Sequence, residues 1–208
     1  MKTTITLFLV LGLLCPVLAG NTYQSKILKS KNTLRKSSND SSMSSNLYTV
    51  MTDSVFPYWM GTKWDFNGIS NVPGQGMIAC GYFVSTTLKH VGFNLNRYKL
   101  AQQAAAKVIH VLCDTNKLYS YSTEAAISQF KTLGNNKLYV LGLDYHVGFI
   151  AVENNEVYFI HSDYFNGKVL QEEAKDSEAF KNTSMYVFGE ITNNKELLNK
   201  WKNGIKIY

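Results

Sequence analysis

The chain has 208 residues and a mass of 23.5 kDa, which suits one domain with a substantial hydrophobic core. Its composition is 45% hydrophobic, 13% aromatic and 17% charged, which excludes a chain that is disordered or fibrous throughout. The formal net charge is +6, but the excess of basic residues lies mostly before residue 48. The folded part therefore lacks the basic balance typical of nucleic-acid binding, and we expect no nucleic-acid partner.

The first 19 residues have the organisation of a secretory signal peptide. Lys2 precedes an apolar run over residues 5–14, and the small residue Ala19 follows at a suitable distance. We expect cleavage after Ala19 and a secreted or periplasmic protein. The apolar run is too short to span a bilayer, and no later stretch is long enough, so no transmembrane span is predicted.

Residues 20–48 are rich in Ser, Asn and Lys and contain few large apolar side chains, which predicts a disordered basic tether. Such a segment serves either as a solvated spacer or as a contact to an anionic surface, and the sequence leaves both roles open. The remaining residues, 49–208, are predicted to form one folded domain. The basic residues of the tether are Lys26, Lys29, Lys31, Arg35 and Lys36.

Hydrophobic periodicity predicts helices in the first half of this domain and strands in the second. The expected helices cover residues 80–91, 99–113 and 122–134. The expected strands cover residues 137–143, 146–152, 156–161 and 186–190. Gly92 is suited to end the first helix, and Ser122 is suited to cap the third. This order predicts an α+β domain in which helices pack on an antiparallel sheet.

Cys80 is the candidate nucleophile. It follows a Gly-rich loop and begins the first predicted helix, where unpaired N–H groups and the helix dipole favour a thiolate. A nucleophilic cysteine also needs a base and a group that orients the base. Cys113 is the other cysteine after the signal peptide, so a Cys80–Cys113 disulfide is the alternative in an oxidising compartment.

Two histidines on neighbouring predicted strands are the candidate base and orienting group. A two-residue turn at Asn154 and Asn155 fixes the register of the hairpin and places His146 and His161 on one face, within reach of each other. Asp163 lies opposite His146 in this register and is an alternative orienting group. A zinc site formed by Cys80 and both histidines is a further alternative, although no typical zinc-ligand spacing supports it.

Five short segments of the domain resemble motifs of the NlpC-type, papain-like cysteine peptidases that act on cell walls. They occur in the family's order and span about half of the chain. The segments are residues 60–68 (MGTKWDFNG, similar to LGTPYxWGG), 78–84 (IACGYFV, similar to DCSGLV), 92–97 with the later glutamines (GFNLNR and QQ, similar to GIxLPR and QQ), 146–150 (HVGFI, similar to HVGIY) and 159–161 (FIH, as in the family).

The resemblance implies a papain-like core with Cys80 as nucleophile, His146 as general base and His161 as the residue that orients the base. It implies hydrolysis of a peptide or amide bond in the stem peptides of peptidoglycan, through a thioester, without a metal or organic cofactor. The backbone N–H of Cys80 would then provide part of the oxyanion hole.

The chain also departs from the family pattern. Ala79 replaces the usual Asp, Gly81 and Tyr82 replace Ser-Gly, and the PGDLVFF segment expected before the base strand is missing. These changes keep the three catalytic candidates but leave the substrate open. Two alternatives therefore remain: a catalytically inactive wall-binding module of the same fold, and a Cys–His deamidase or acyltransferase that acts on another substrate.

Overall fold

A six-stranded antiparallel sheet lies at the centre of the part of the chain that the computed structural model describes, residues 15–37, 39–113, 116–119 and 122–208. The spatial order of the strands is β1-β6-β2-β3-β4-β5, so β3 and β4 lie inside the sheet. The strands are β1 (Asn116–Tyr119), β2 (Lys137–Gly142), β3 (Val147–Glu153), β4 (Glu156–Asp163), β5 (Lys168–Glu173) and β6 (Met185–Glu190).

The described residues also form α-helices on both sides of the sheet, and a π-helical segment, Val50–Val55, joins the second helix to the third. The helices are α1 (Cys15–Arg35), α2 (Asp40–Thr49), α3 (Phe56–Trp59), α4 (Cys80–Val91), α5 (Arg97–Ala101), α6 (Ala105–Leu112), α7 (Thr123–Thr132), α8 (Glu178–Lys181) and α9 (Lys195–Lys202).

The sheet separates two layers of buried side chains. On one face, residues such as Val140 and Phe149 pack with the core under α4 and α6. On the other face, Ile150 and Phe159 pack with Phe130 of α7 and with the buried residues of α8. Helices packed on an antiparallel sheet confirm the predicted α+β class.

Local sequence signals fix several of these elements as expected. The helix α4 ends at Gly92, which adopts a left-handed conformation with φ of 110°. The Ser122 side chain accepts a hydrogen bond from the backbone N–H of Ala125 and begins α7. Asn154 and Asn155 both have positive φ, 50° and 63°, which is the geometry of a two-residue hairpin turn. The predicted helix boundaries at residues 80 and 91 and the predicted hairpin are therefore confirmed.

The helix expected over residues 99–113 is wrong in its extent, because the structure divides this stretch into α5 and α6. The Asn96 side chain accepts hydrogen bonds from two backbone N–H groups and begins α5 earlier than expected. Ala104 is extended, with ψ of 144°, so the chain cannot continue as one helix through it. High helix propensity in the run of alanines did not outweigh this break.

The disordered tether expected over residues 20–48 is also wrong for the described residues, which form α1 and α2 there. Tyr23 and Ile27 of α1 and Met43 and Leu47 of α2 are buried in the common core. Each pair is four residues apart, so each pair lies on one helix face, and these few apolar side chains suffice to dock both helices.

Residues 1–14 of the predicted signal peptide lie outside the described residues, so the signal peptide stays a prediction. In the part of the chain that is described, none of the helices combines the length and the apolar character needed to cross a membrane.

Candidate active site

Cys80 is the first residue of α4, and two hydrogen bonds anchor the loop that precedes it. The backbone N–H of Ala79 donates a hydrogen bond to the carbonyl oxygen of Gly68 at 2.8 Å. The hydroxyl of Ser162, on β4, donates to the carbonyl oxygen of Ile78 at 2.7 Å. These bonds fix the start of α4 against the sheet and thereby position the Cys80 thiol.

His146 lies immediately before β3, at the end of the sheet nearest to Cys80. Its carbonyl oxygen accepts a hydrogen bond from the N–H of Leu143 at 2.8 Å, which closes the tight turn between β2 and β3. The backbone N–H of the next residue, Val147, is a hydrogen-bond donor to the Cys80 sulfur. Cys80 and His146 thus line the same cleft.

A line of hydrogen bonds that runs into the sheet joins three side chains, those of His146, His161 and Glu172. His146 Nε2 lies 2.8 Å from His161 Nδ1, and His161 Nε2 lies 3.1 Å from Glu172 Oε1. His161 is fully buried and stacks on Phe159, with ring centroids 4.0 Å apart. Gly148 provides the space beside them, because a Cβ atom there would lie 2.8 Å from that of His161. The contact between the imidazoles is the one that the hairpin register predicts.

Asp163, the alternative orienting group, has a different set of partners. Its carboxylate accepts hydrogen bonds from the backbone N–H groups of Phe165 and Asn166 and from the side chain of Asn166. Its distance to His161 Nδ1 is 4.0 Å, beyond hydrogen-bond length. Asp163 therefore holds the turn after β4, and the carboxylate that contacts His161 is Glu172, which no pattern in the sequence indicates.

Burial is the largest influence on the pKa values of the candidate nucleophile and base. It raises the pKa of the Cys80 thiol, although the N–H groups of Val147, Gly81 and Cys80 itself act in the opposite direction. Burial, together with the neighbouring His161, holds the pKa of His146 well below its usual range. These directions favour a neutral thiol and a neutral imidazole at rest, and they oppose the thiolate expected at the helix N-terminus.

This state predicts the pH dependence of alkylation. Because the pKa of Cys80 is raised, its thiolate fraction is small at neutral pH, and we expect the rate of iodoacetamide labelling to keep increasing through pH 9. Peptide mass spectrometry would measure the rate at each site, with the buried Cys113 as an internal control for unfolding. A labelling rate that is already at its plateau at pH 7 would instead indicate a thiolate–imidazolium pair.

The cleft in front of Cys80 and His146 has a volume of about 740 Å³. None of its lining side chains among the described residues is charged. Its primary amides belong to Asn67, Gln102 and Gln103. Its aromatic side chains are Trp64, Phe66, Tyr82, Tyr145 and Tyr164. Phe66 and Tyr145 are 80% and 96% exposed, so they remain available to a bound molecule.

The sequence left two further alternatives at this site, a disulfide between the two cysteines and a zinc site. Cys80 and Cys113 are not joined to each other in a disulfide. Within the described ranges, no cluster of three or more His, Cys, Asp and Glu side chains is arranged to hold a metal ion.

No protein-family model and no curated protein matches the chain. Among solved structures, a Legionella pneumophila protein of the family model DUF1460 is 11% identical, with a TM-score of 0.48 over 84% of this chain and 96% of that chain. An N-acetylmuramoyl-L-alanine amidase from Bacteroides uniformis is also 11% identical, with a TM-score of 0.34 over 83% and 99%. At these TM-scores neither similarity establishes a shared activity, so a functional proposal has to rest on the site itself.

Proposed function

We propose that the protein is a secreted cysteine hydrolase that cleaves an amide bond, with Cys80 as nucleophile, His146 as general base and His161 as the group that orients His146. The observation that carries this proposal is the contact of His146 with the buried His161, because His146 lines the same cleft as Cys80. A nucleophile, a base and a group that orients the base are the minimum for covalent catalysis of acyl transfer.

The resting state favours proton transfer during the attack. His146 accepts the Cys80 proton as the sulfur forms a bond to the amide carbon. The C–N bond then breaks, and the leaving nitrogen takes this proton from His146, which leaves a thioester on Cys80. His146 next removes a proton from water as its oxygen attacks the thioester carbon. The C–S bond then breaks to release the acid, and His146 returns the proton to the sulfur, which restores the thiol and the neutral imidazole.

The first turn of α4 offers donors for the negative charge that forms on the carbonyl oxygen. The first backbone bond of the helix runs from Phe83 N–H to the Ala79 carbonyl, so the N–H groups of residues 80–82 have no backbone carbonyl partner within the helix. We assign the N–H of Cys80 to the oxyanion hole, because it belongs to the attacking residue and lies at the positive end of the helix dipole.

The substrate that we propose is an amide of peptidoglycan, on the basis of the sequence resemblance and the expected secretion. The cleft adds a condition to this proposal. Because its described lining is aromatic and uncharged, it favours a substrate whose groups next to the scissile bond carry no charge. Stem-peptide carboxylates would then lie outside the cleft.

Digestion of purified peptidoglycan, followed by mass spectrometry of the soluble products, tests the proposed reaction. We expect new fragments whose masses together exceed that of the parent by one water. An increase of about one mass unit without cleavage would identify a deamidase instead. Products with unchanged masses, together with binding to the insoluble wall, would identify the inactive wall-binding module.

A further inference from the structure

Glu172 of β5 closes the line of hydrogen bonds that begins at His146. Its Oε1 atom lies 3.1 Å from His161 Nε2, and its side chain is 21% exposed, so the contact is largely shielded from water. Burial alone would raise the pKa of Glu172, but hydrogen bonds from His161 and Ser177 and attraction to His161 and Lys181 together outweigh it and lower the pKa. The carboxylate is therefore charged at neutral pH and can only accept a hydrogen bond.

This acceptor determines the direction of every bond in the line. His161 must donate its Nε2 proton to Glu172, so an imidazole with one proton has only Nδ1 left as an acceptor. His161 Nδ1 lies 2.8 Å from His146 Nε2, which must then be the donor of that bond. Nδ1 of His146 consequently carries the lone pair.

The reverse arrangement would disable the base. If His161 carried protons on both nitrogens, His146 Nε2 would have to accept, and the single proton of His146 would occupy Nδ1. A carboxylate on the far side of His161 therefore decides which nitrogen of His146 can receive a proton.

We propose that Glu172 is a positioning residue, which holds both imidazoles as Nε2–H tautomers and so keeps His146 Nδ1 ready to receive the Cys80 proton. This inference rests on the proposed function for its role in the reaction, although the tautomers themselves exist without substrate. Glu172 is not among the described residues that line the cleft, and we expect it to act through His161.

The other groups around His161 do not replace this carboxylate. Asp163 is 4.0 Å from His161 Nδ1 and accepts three hydrogen bonds from its own turn. Phe159 stacks on the ring and offers no acceptor in its plane. In α8, Lys181 and Glu178 form an ion pair with each other on the surface. Both interact with Glu172 through longer-range electrostatic forces.

Glu172→Gln tests the inference, because it keeps the size of the side chain and removes the charge that forces His161 to donate. Long-range ¹H–¹⁵N spectra of the ¹⁵N-labelled full chain would report the protonation of each ring nitrogen. The signals of His146 and His161 would be identified by their loss in His146→Gln and His161→Gln. We expect Nε2–H tautomers for both in the unsubstituted protein, and a mixture of tautomers for His161 in Glu172→Gln.

In the same variant we expect kcat to fall by about 10–100-fold with KM within about threefold of the unsubstituted value, because the base is misoriented while the cleft is intact. Glu173→Gln is the matched control: it removes a carboxylate from the adjacent position of β5 that pairs with Lys175, and it should change neither tautomers nor kcat. Glu172→Asp keeps the charge and should restore part of the lost rate.

Three results would each overturn the inference: unsubstituted-type tautomers in Glu172→Gln, an unchanged kcat in that variant, or a His161 imidazolium protonated on both nitrogens in the unsubstituted protein. The spectra need no substrate. A failure of the proposed hydrolysis would therefore appear as missing products with the tautomers unaffected, and would be distinguishable from a failure of this inference.

Discussion

Cys80→Ala should reduce the rate of peptidoglycan hydrolysis by on the order of 10⁴-fold or more, because no other described side chain in the cleft can form the thioester. The loss should appear in kcat, since the aromatic lining that holds the substrate is unchanged. Release of soluble fragments, quantified by mass spectrometry, measures both parameters. Cys80→Ser should lose nearly as much, because the resting imidazole is a weak base and a hydroxyl is far harder to deprotonate than a thiol.

Cys113→Ala provides the matched control for this loss. Cys113 is buried in the core at the end of α6 and does not line the cleft, so its removal should leave kcat close to that of the unsubstituted protein. Melting temperatures of both variants would exclude unfolding as the cause of any change. Hydrolysis that persists in a folded Cys80→Ala protein would refute the proposed mechanism.

Gly81→Ala should lower the free energy of unfolding by about 1–3 kcal/mol, because the added methyl group has no space. A Cβ atom at Gly81 would lie 2.3 Å from the backbone carbonyl oxygen of Ala101 in α5, and a backbone group cannot rotate away as a side chain can. We expect the melting temperature to fall by about 3–10 °C. Separation of α4 from α5 would also displace Cys80, so activity should fall below the level that unfolding alone explains.

Lys89→Ala, at an exposed position of the same helix, serves as the comparison, and we expect its effect to stay within about 0.5 kcal/mol. Thermal unfolding followed by circular dichroism measures both variants. An unchanged melting temperature in Gly81→Ala would show that α4 and α5 can move apart without loss of stability. Cys80 would then be less firmly positioned than the packing indicates.

The hairpin could be predicted from the sequence because its signals are local. The pair Asn154 and Asn155 specifies a two-residue turn, and strand alternation then fixes which side chains share a face. The observed register, with Ile150 opposite Phe159, is the predicted one. The same locality made the His146–His161 contact predictable, since both residues belong to this one hairpin.

Glu172 and the resting charge of Cys80 could not be predicted in this way. The strand β5 has only two strongly apolar residues, Val169 and Leu170, so the alternation that would indicate a strand is weak. Without β5, Glu172 could not be placed beside His161. The sign of the pKa shift at Cys80 depends on how deeply α4 docks against β3, and burial by distant segments leaves no local pattern in the sequence.

The two N-terminal helices were missed for a related reason. Their composition is typical of disorder, and only the spacing of a few apolar residues distinguishes them from a solvated segment. Tertiary contacts with the rest of the core stabilise these helices. The overall composition of the segment does not show that its few apolar residues share one helix face.

The chain separation of the site residues has a consequence for how the protein becomes active during folding. His146 and His161 are 15 positions apart, and His161 and Glu172 are 11 apart, so adjacent strands of one meander bring all three together through short-range loop closure. Cys80 comes from a much earlier segment and reaches them only when α4 docks on β3. An intermediate with the meander formed would contain the base but no nucleophile, so chemical competence would be acquired with the last long-range contacts.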